Sequence, residues 1–423
     1  MGDSAIFAKA AWRLIPFMGL LYVVNFLDRV NVGFAALTMN KDIGLSASAY
    51  GWGAGIFFFG YFLCEIPSNA ILMRVGARLW VFRIMLTWGL ISMATALVRT
   101  PMAFYVLRFL LGVAEAGFFP GMMLYLTFWF PTATRARFNG MFLASILIAN
   151  ILGSPLSGFI LGMNGVAGLH GWQWLFLVEG VPACVLAFAV LVFLPDGPAR
   201  AAWLSGDEKS RIAAALARDA PPVADLWTGL RDPRVWILGF ADIGIVVATY
   251  GIALWLPQIV KAMGFSNLET GFVVAMPYVA AMAGMLAWAR SSDLRHERIW
   301  HIVAPALFAS ASLIVAALLG TDLWSVIALA CASIGIYATL VVFWTLPTSF
   351  LGGTAAAGCV ALVNSIGNIG GFLGPYLMGW LKDRTGGYSA GMVALAAGLA
   401  VTAAIVLTVS HKFAVARVQA VLE

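Results

Sequence analysis

Residues 14–38 read LIPFMGLLYVVNFLDRVNVGFAALT. The run is longer than the about 20 apolar residues that carry an α-helix across a bilayer. Its only charges, Asp28 and Arg29, stand side by side in the middle. Eleven further apolar runs follow, at about 49–73, 79–99, 101–130, 137–163, 172–194, 234–260, 270–290, 299–320, 322–350, 356–381 and 388–410. They predict an all-α membrane protein with twelve spanning helices. Composition agrees. The 423 residues are 62% hydrophobic and 10% charged, whereas a soluble domain is about 25% charged. So few charges cannot cover a water-facing surface, which excludes a soluble enzyme and a disordered chain. The segment Met1 to Ala11 has no small-residue cleavage site, so the first run is expected to be a retained span.

One connection is long. Residues 195–233 open with Leu194-Pro195-Asp196-Gly197-Pro198 and close with Arg231-Asp232-Pro233. Within them Ser205 and Glu208 have capping-box spacing and lead into Lys209–Arg218, predicting a short surface helix. The expected units are a six-helix bundle over 1–194, a linker over 195–233 and a second six-helix bundle with a tail over 234–423. With the N-terminus in the cytoplasm, 18 Lys and Arg fall on that side. Five fall outside: Lys41, Arg99, Lys261, Lys382 and Arg384. This positive-inside bias places both termini and the linker in the cytoplasm of an inner-membrane protein. The net charge of +6 reflects that bias and gives no reason to expect nucleic acid as a partner.

Neither a cofactor nor a metal is expected. Cys64, Cys184, Cys331 and Cys359 lie in apolar runs without a CxxC pair, and the chain has no HExxH and no Walker A lysine. If the protein moves a solute, the energy comes from a gradient.

Of the 25 Lys and Arg, only Arg29 and Arg108 fall deep inside spans, away from the run ends. A charge at mid-bilayer costs about 2.5–3.5 kcal/mol even on the insertion scale. A guanidinium fork suits a carboxylate, so the pair reads as an anion clamp. The intramembrane acids are Asp28, Glu65, Glu115, Glu179 and Asp242. Asp28 points about 100° away from Arg29 on a helix, and Glu115 lies seven residues after Arg108 on nearly the same face. An anion in the fork and a proton on a nearby acid would favour each other, a physical basis for symport. Glu65 reads as a gate or helix-end residue and Glu179 as a structural partner. Asp242 is placed near the interface with its role open. Phe26, Tyr61, Tyr250, Trp255 and Trp344 are candidate cavity aromatics, and Asn364 a candidate cavity polar group. Gly117/Gly121, Gly158/Gly162, Gly367/Gly371 and Gly370/Gly374 are small-xxx-small pairs that favour close helix approach.

The chain resembles the anion:cation symporter branch of the major facilitator superfamily over roughly 14–411. The resemblance is carried by Asn25-Phe26-Leu27-Asp28-Arg29-Val30-Asn31-Val32-Gly33 and by Gly60 through Asn69. It is carried also by Arg108 through Gly121, by Trp129-Phe130-Pro131, and by Gly367 through Pro375. It implies the major facilitator fold, two pseudo-symmetric six-helix bundles, and proton-coupled import of a small organic carboxylate by alternating access. A facilitator, exchanger or sodium-coupled carrier of the same anions is the alternative. By resemblance, Arg29 and Arg108 bind the anion, Asp28 and Glu115 take the proton, and Phe26 and Asn364 touch substrate. The expected partners are a small organic acid, tilted toward aromatic or hydroxylated monoacids, and the lipid bilayer; a monomer is expected. After span two, Arg74 and Arg78 form the basic pair of the inner gate, but Met73 stands where the wider superfamily carries an aspartate. The second-half copy keeps its acid at Asp293.

Overall fold

The computed structural model describes the backbone of residues 3–218, 232–346 and 353–422. Side chains are described there except at 3, 132–141, 143, 353–359, 361 and 409–422. Arg135, Arg137, Arg231, Lys412 and Arg417, among the 18 basic residues counted on the cytoplasmic side, and Cys359 therefore lie outside the described side chains.

The first half runs α1 (Asp3–Asp42), α2 (Ala47–Val75), α3 (Ala77–Thr95), α4 (Pro101–Glu115), α5 (Phe118–Thr127), α6 (Thr132–Leu161) and α7 (Gly171–Phe193). The linker carries α8 (Gly206–Arg218). The second half runs α9 (Pro233–Lys261), α10 (Asn267–Arg295), α11 (Ile299–Leu319), α12 (Trp324–Phe343), α13 (Gly353–Thr385) and α14 (Ser389–Leu422). Eleven spans among the described residues are long and apolar enough to cross a membrane, with α4 and α5 counted as one. The 33-residue α13 stands between α12 and α14 and brings the long helices, with α4 and α5 taken as one, to the expected twelve among the described residues.

The helices start where local chemistry allows. Ser46 caps α2 by accepting from the Ala49 N–H, and Thr100-Pro101 and Asp232-Pro233 put a cap and an N1 proline at the heads of α4 and α9. Ser205 and Glu208 form a reciprocal capping box at α8, with bonds of 3.2 and 2.8 Å. The fourth apolar run, predicted as one helix, breaks at Ala116-Gly117. Gly117 adopts φ +85°, and a side chain there would strike Ser68 on α2.

Across the halves, α2 packs on α13, α6 on α10 and α1 on α9. Gly158 and Gly271 let α6 and α10 meet backbone to backbone, and Gly51 meets the Pro375 carbonyl. Gly162 makes no such approach to another helix. One end of the interface is tied by polar contacts. The Asp383 carboxylate at the end of α13 accepts from Ala47 N (3.2 Å) and Ser48 N (2.7 Å) at the head of α2, where the helix dipole favours an anion. Tyr50 Oη donates to the Leu254 carbonyl at 2.9 Å. The outward surface exposes large apolar side chains such as Ile66, Phe159, Val192 and Leu318, as a bilayer-facing surface must.

Candidate functional site

Between the halves lies a cavity of about 80 Å³, small beside the roughly 300–1,000 Å³ of drug-sized ligand sites. The first half contributes Tyr22, Phe26, Arg29, Tyr61, Phe119 and Ile146 to its wall. The second contributes Asp242, Val246, Thr249, Tyr250, Leu340, Trp344, Asn364 and Asn368. Six aromatic rings therefore surround a space whose charged lining residues are Arg29 and Asp242. Phe26, Tyr61, Tyr250, Trp344 and Asn364, picked out from the sequence, are all on this wall. Trp255 is not. It is buried at the seam, where its Nε1 donates to the Pro375 carbonyl at 3.1 Å.

Arg29 is the polar centre of the first half. Its Nε donates to Glu115 Oε1 at 3.0 Å and its Nη2 bonds the same oxygen. Its Nη1 donates to Tyr250 Oη at 2.8 Å, across to α9. The guanidinium carbon lies 5.2 Å from the Phe57 ring centre and 5.3 Å from that of Tyr61, within cation–π range. Glu115 is fully buried and its Oε2 has no hydrogen-bond partner among the described residues. One guanidinium thus ties both halves while holding a carboxylate by a single oxygen.

The structure does not bring the two arginines together on the cavity wall. Arg108 is 1% exposed and lies against Phe57, 5.0 Å from the ring centre, so the same ring touches both guanidinia. Arg108 Nη2 reaches the Ala54 carbonyl at 3.4 Å, and its Nε and Nη1 have no partner among the described residues. Nor does Glu115 pair with Arg108. Seven residues of helix rise about 10.5 Å, so a shared face does not bring the two groups into contact. Arg29 from the neighbouring helix takes the carboxylate instead.

Asp28 points away from the cavity, as the helical turn between it and Arg29 requires. It is buried against α3, accepting from Ser92 Oγ and from Asn31 Nδ2 at 3.1 Å, and its Oδ2 has no partner among the described residues. Neither partner was singled out in the sequence; a serine in an apolar helix carries no signal of whom it faces.

Glu65 joins the halves a second time. It accepts from Asn364 Nδ2 (2.7 Å), Ser365 Oγ (3.3 Å) and Asn368 Nδ2 (3.4 Å) on α13. Asn364 therefore faces the cavity and makes an interhelical bond at once. Glu179 accepts from Ser157 Oγ at 2.8 Å within the first half. Arg74 and Arg78 are exposed at the turn after α2. Near this turn the acid is Asp196, just beyond the end of α7: its Oδ1 accepts from the Arg78 N–H at the head of α3 at 3.0 Å, and Oδ2 pairs with Arg200 at 2.8 Å. Gly76, at φ +97°, lies against Asp196, and a side chain there would collide with the carboxylate. In the second half Asp293 pairs with Arg298 at 2.7 Å. On the linker, Lys9 Nζ donates to Glu208 at 2.9 Å, docking α8 on α1. That ammonium holds the Glu208 carboxyl below the usual carboxylate range.

Asp242 corrects the interfacial placement. It is 1% exposed and lines the cavity. A signal was present: Asp242, Val246, Thr249 and Tyr250 are spaced i, i+4, i+7, i+8, one face of α9, and all four are on the wall.

The chain resembles known proteins over nearly all its length. The profile of the Major Facilitator Superfamily matches residues 18–375. A protein of Agrobacterium vitis described as "Putative tartrate transporter" is 46% identical over 413 residues, covering 97% of this chain and 95% of its own. "Putative metabolite transport protein NicT" of Pseudomonas putida is 43% identical over 418 residues, covering 97% and 96%. Among solved structures, the inward-facing, unoccupied bacterial homolog of the human lysosomal transporter Spinster aligns with TM-score 0.77 at 18% identity, covering 97% of each chain. The partially occluded, inward-open xylose transporter XylE from E. coli aligns with TM-score 0.75 at 11% identity, covering 94% and 97%. With twelve long helices among the described residues in the order of that fold and a cavity between the halves, the chain is a multi-pass membrane transporter and belongs to the Major Facilitator Superfamily.

Proposed function

We propose that the protein imports a small organic carboxylate together with protons, by alternating access between its two six-helix halves. The observation that carries this reading is Arg29, a cavity-wall guanidinium whose fork is held by the buried Glu115 and by Tyr250 of the other half. A substrate carboxylate competes with Glu115 for that fork. With Glu115 ionised, the incoming anion adds a second negative charge in a poorly screened site. A proton on Glu115 removes the conflict and frees the fork. Asp28, Arg29, Arg108 and Glu115 carry no net charge with both acids ionised, so anion plus proton is the favoured loaded state. Arg108, across Phe57 with two free donor nitrogens, adds positive potential. Relatives described as tartrate transporters support a small carboxylate as cargo.

In this reading both termini and the linker face the cytoplasm of the cell membrane, with the protein as a monomer. The Asp383 and Tyr50 contacts then seal the outer end, and Glu65 with Asn364 is an inner tether. The test is tartrate uptake into proteoliposomes with and without an inward proton gradient. The wild type should accumulate substrate only with the gradient. Glu115→Gln, which mimics the protonated acid, should keep exchange between loaded pools and lose gradient-driven accumulation. Accumulation by Glu115→Gln with unchanged pH dependence would refute this proton route, and uptake insensitive to pH in the wild type would favour a facilitator.

A further inference from the structure

Asp242 is unexplained by the symport scheme. It sits on α9, 1% exposed, on the cavity wall in the half opposite Arg29. Its Oδ1 has no hydrogen-bond partner among the described residues. An unmet acceptor buried away from water is costly. The carboxyl has no room to turn away, because Asp242 Oδ2 lies where a side chain on Gly367 of α13 would stand. The cavity is the direction left for a partner.

We infer that Asp242 reads the far end of the cargo, and that the preferred substrate is an aromatic acid bearing a hydrogen-bond donor, a hydroxyl or ring N–H, at the end of the ring opposite its carboxylate. The inference rests on the carboxylate reading above and deepens it. Arg29 is tied to Tyr250, and Asp242 lies eight residues before Tyr250 on the same helix face. Eight residues rise about 12 Å along α9, so the two cavity-wall residues spring from backbone positions two turns apart. The lining between is aromatic: Tyr22, Phe26, Tyr61, Phe119, Tyr250 and Trp344. Aromatic walls favour a flat ring stacked among them, whereas vicinal groups on a short chain offer them no ring. A site with a buried hydrogen-bonding group rejects an analogue that cannot satisfy it, because that group is then left unpaired.

The experiment is ligand titration of the purified full chain by calorimetry, with benzoate, 4-hydroxybenzoate, 4-methoxybenzoate and tartrate. The wild type should bind 4-hydroxybenzoate at least tenfold more tightly than benzoate or the methoxy ether, which lacks the donor. Asp242→Leu should bring the three aromatic acids within threefold of one another. The isosteric Asp242→Asn, which spares the packing on Gly367, should lower the preference at least threefold. No wild-type preference, or an unchanged one in both variants, overturns the inference. Binding of tartrate without any of the three aromatic acids overturns it and leaves the carboxylate reading standing. Failure of every carboxylate to bind overturns both.

Discussion

Replacing Arg29 with lysine isolates the geometry of the anion site from its charge. The arginine makes three contacts with two partners on different helices: Nε and Nη2 with Glu115, and Nη1 with Tyr250 Oη at 2.8 Å. A lysine keeps the positive charge but presents one ammonium on a shorter stem, without the planar fork that engages two oxygens in parallel. It cannot hold Glu115 and reach toward α9 together. The expected loss for the substrate carboxylate is that of one charged hydrogen bond, about 1.5–3 kcal/mol, or a roughly 10- to 150-fold weaker Kd. Arg29→Lys should be measured by calorimetric titration of the purified protein with whichever carboxylate the wild type binds, alongside its thermal melting in the same detergent. A variant that melts like the wild type and binds within threefold of it would show that the fork does not hold the anion.

Three further outcomes are expected. Asp196→Ala removes the carboxylate from the head of α3 and from Arg200, and should cost about 0.5–2 kcal/mol, the scale of a lost helix cap, read as a lower melting temperature. Docking of α8 on α1 should weaken in acid. The depressed Glu208 carboxyl contributes stability above its unfolded-state pKa and loses it as pH falls through the folded value; a Lys9→Cys/Glu208→Cys pair should cross-link, and proteolysis of the unlinked linker should quicken below about pH 4. Reporter fusions after Arg218 and after Val415 should both report the cytoplasm, and an external signal from either would sink the proposed topology.

The sequence by itself determined the spans and most of their ends. In a bilayer every backbone polar group must be satisfied within the segment, so twelve apolar runs left few alternatives to twelve helices. Ser46, Thr100-Pro101, Asp232-Pro233 and the Ser205/Glu208 box act within one turn of chain, and local chemistry of that kind is readable one residue at a time. The rarity of charge inside the runs likewise exposed Arg29, Arg108, Asp28, Glu65 and Glu115 as the residues to watch. What tertiary structure alone decided was who partners whom. Glu115 shares a helix face with Arg108 yet pairs with Arg29, because axial rise separates the first two and helix packing brings the third alongside. Glu65 meets Asn364, and Asp196 meets the head of α3 at Arg78, across 299 and 118 residues of chain. Asp242, taken for an interfacial group, became a cavity wall once the packing of α13 on α9 set which face of α9 looks inward. A side chain's periodicity names its face; only the neighbouring helix gives that face a partner.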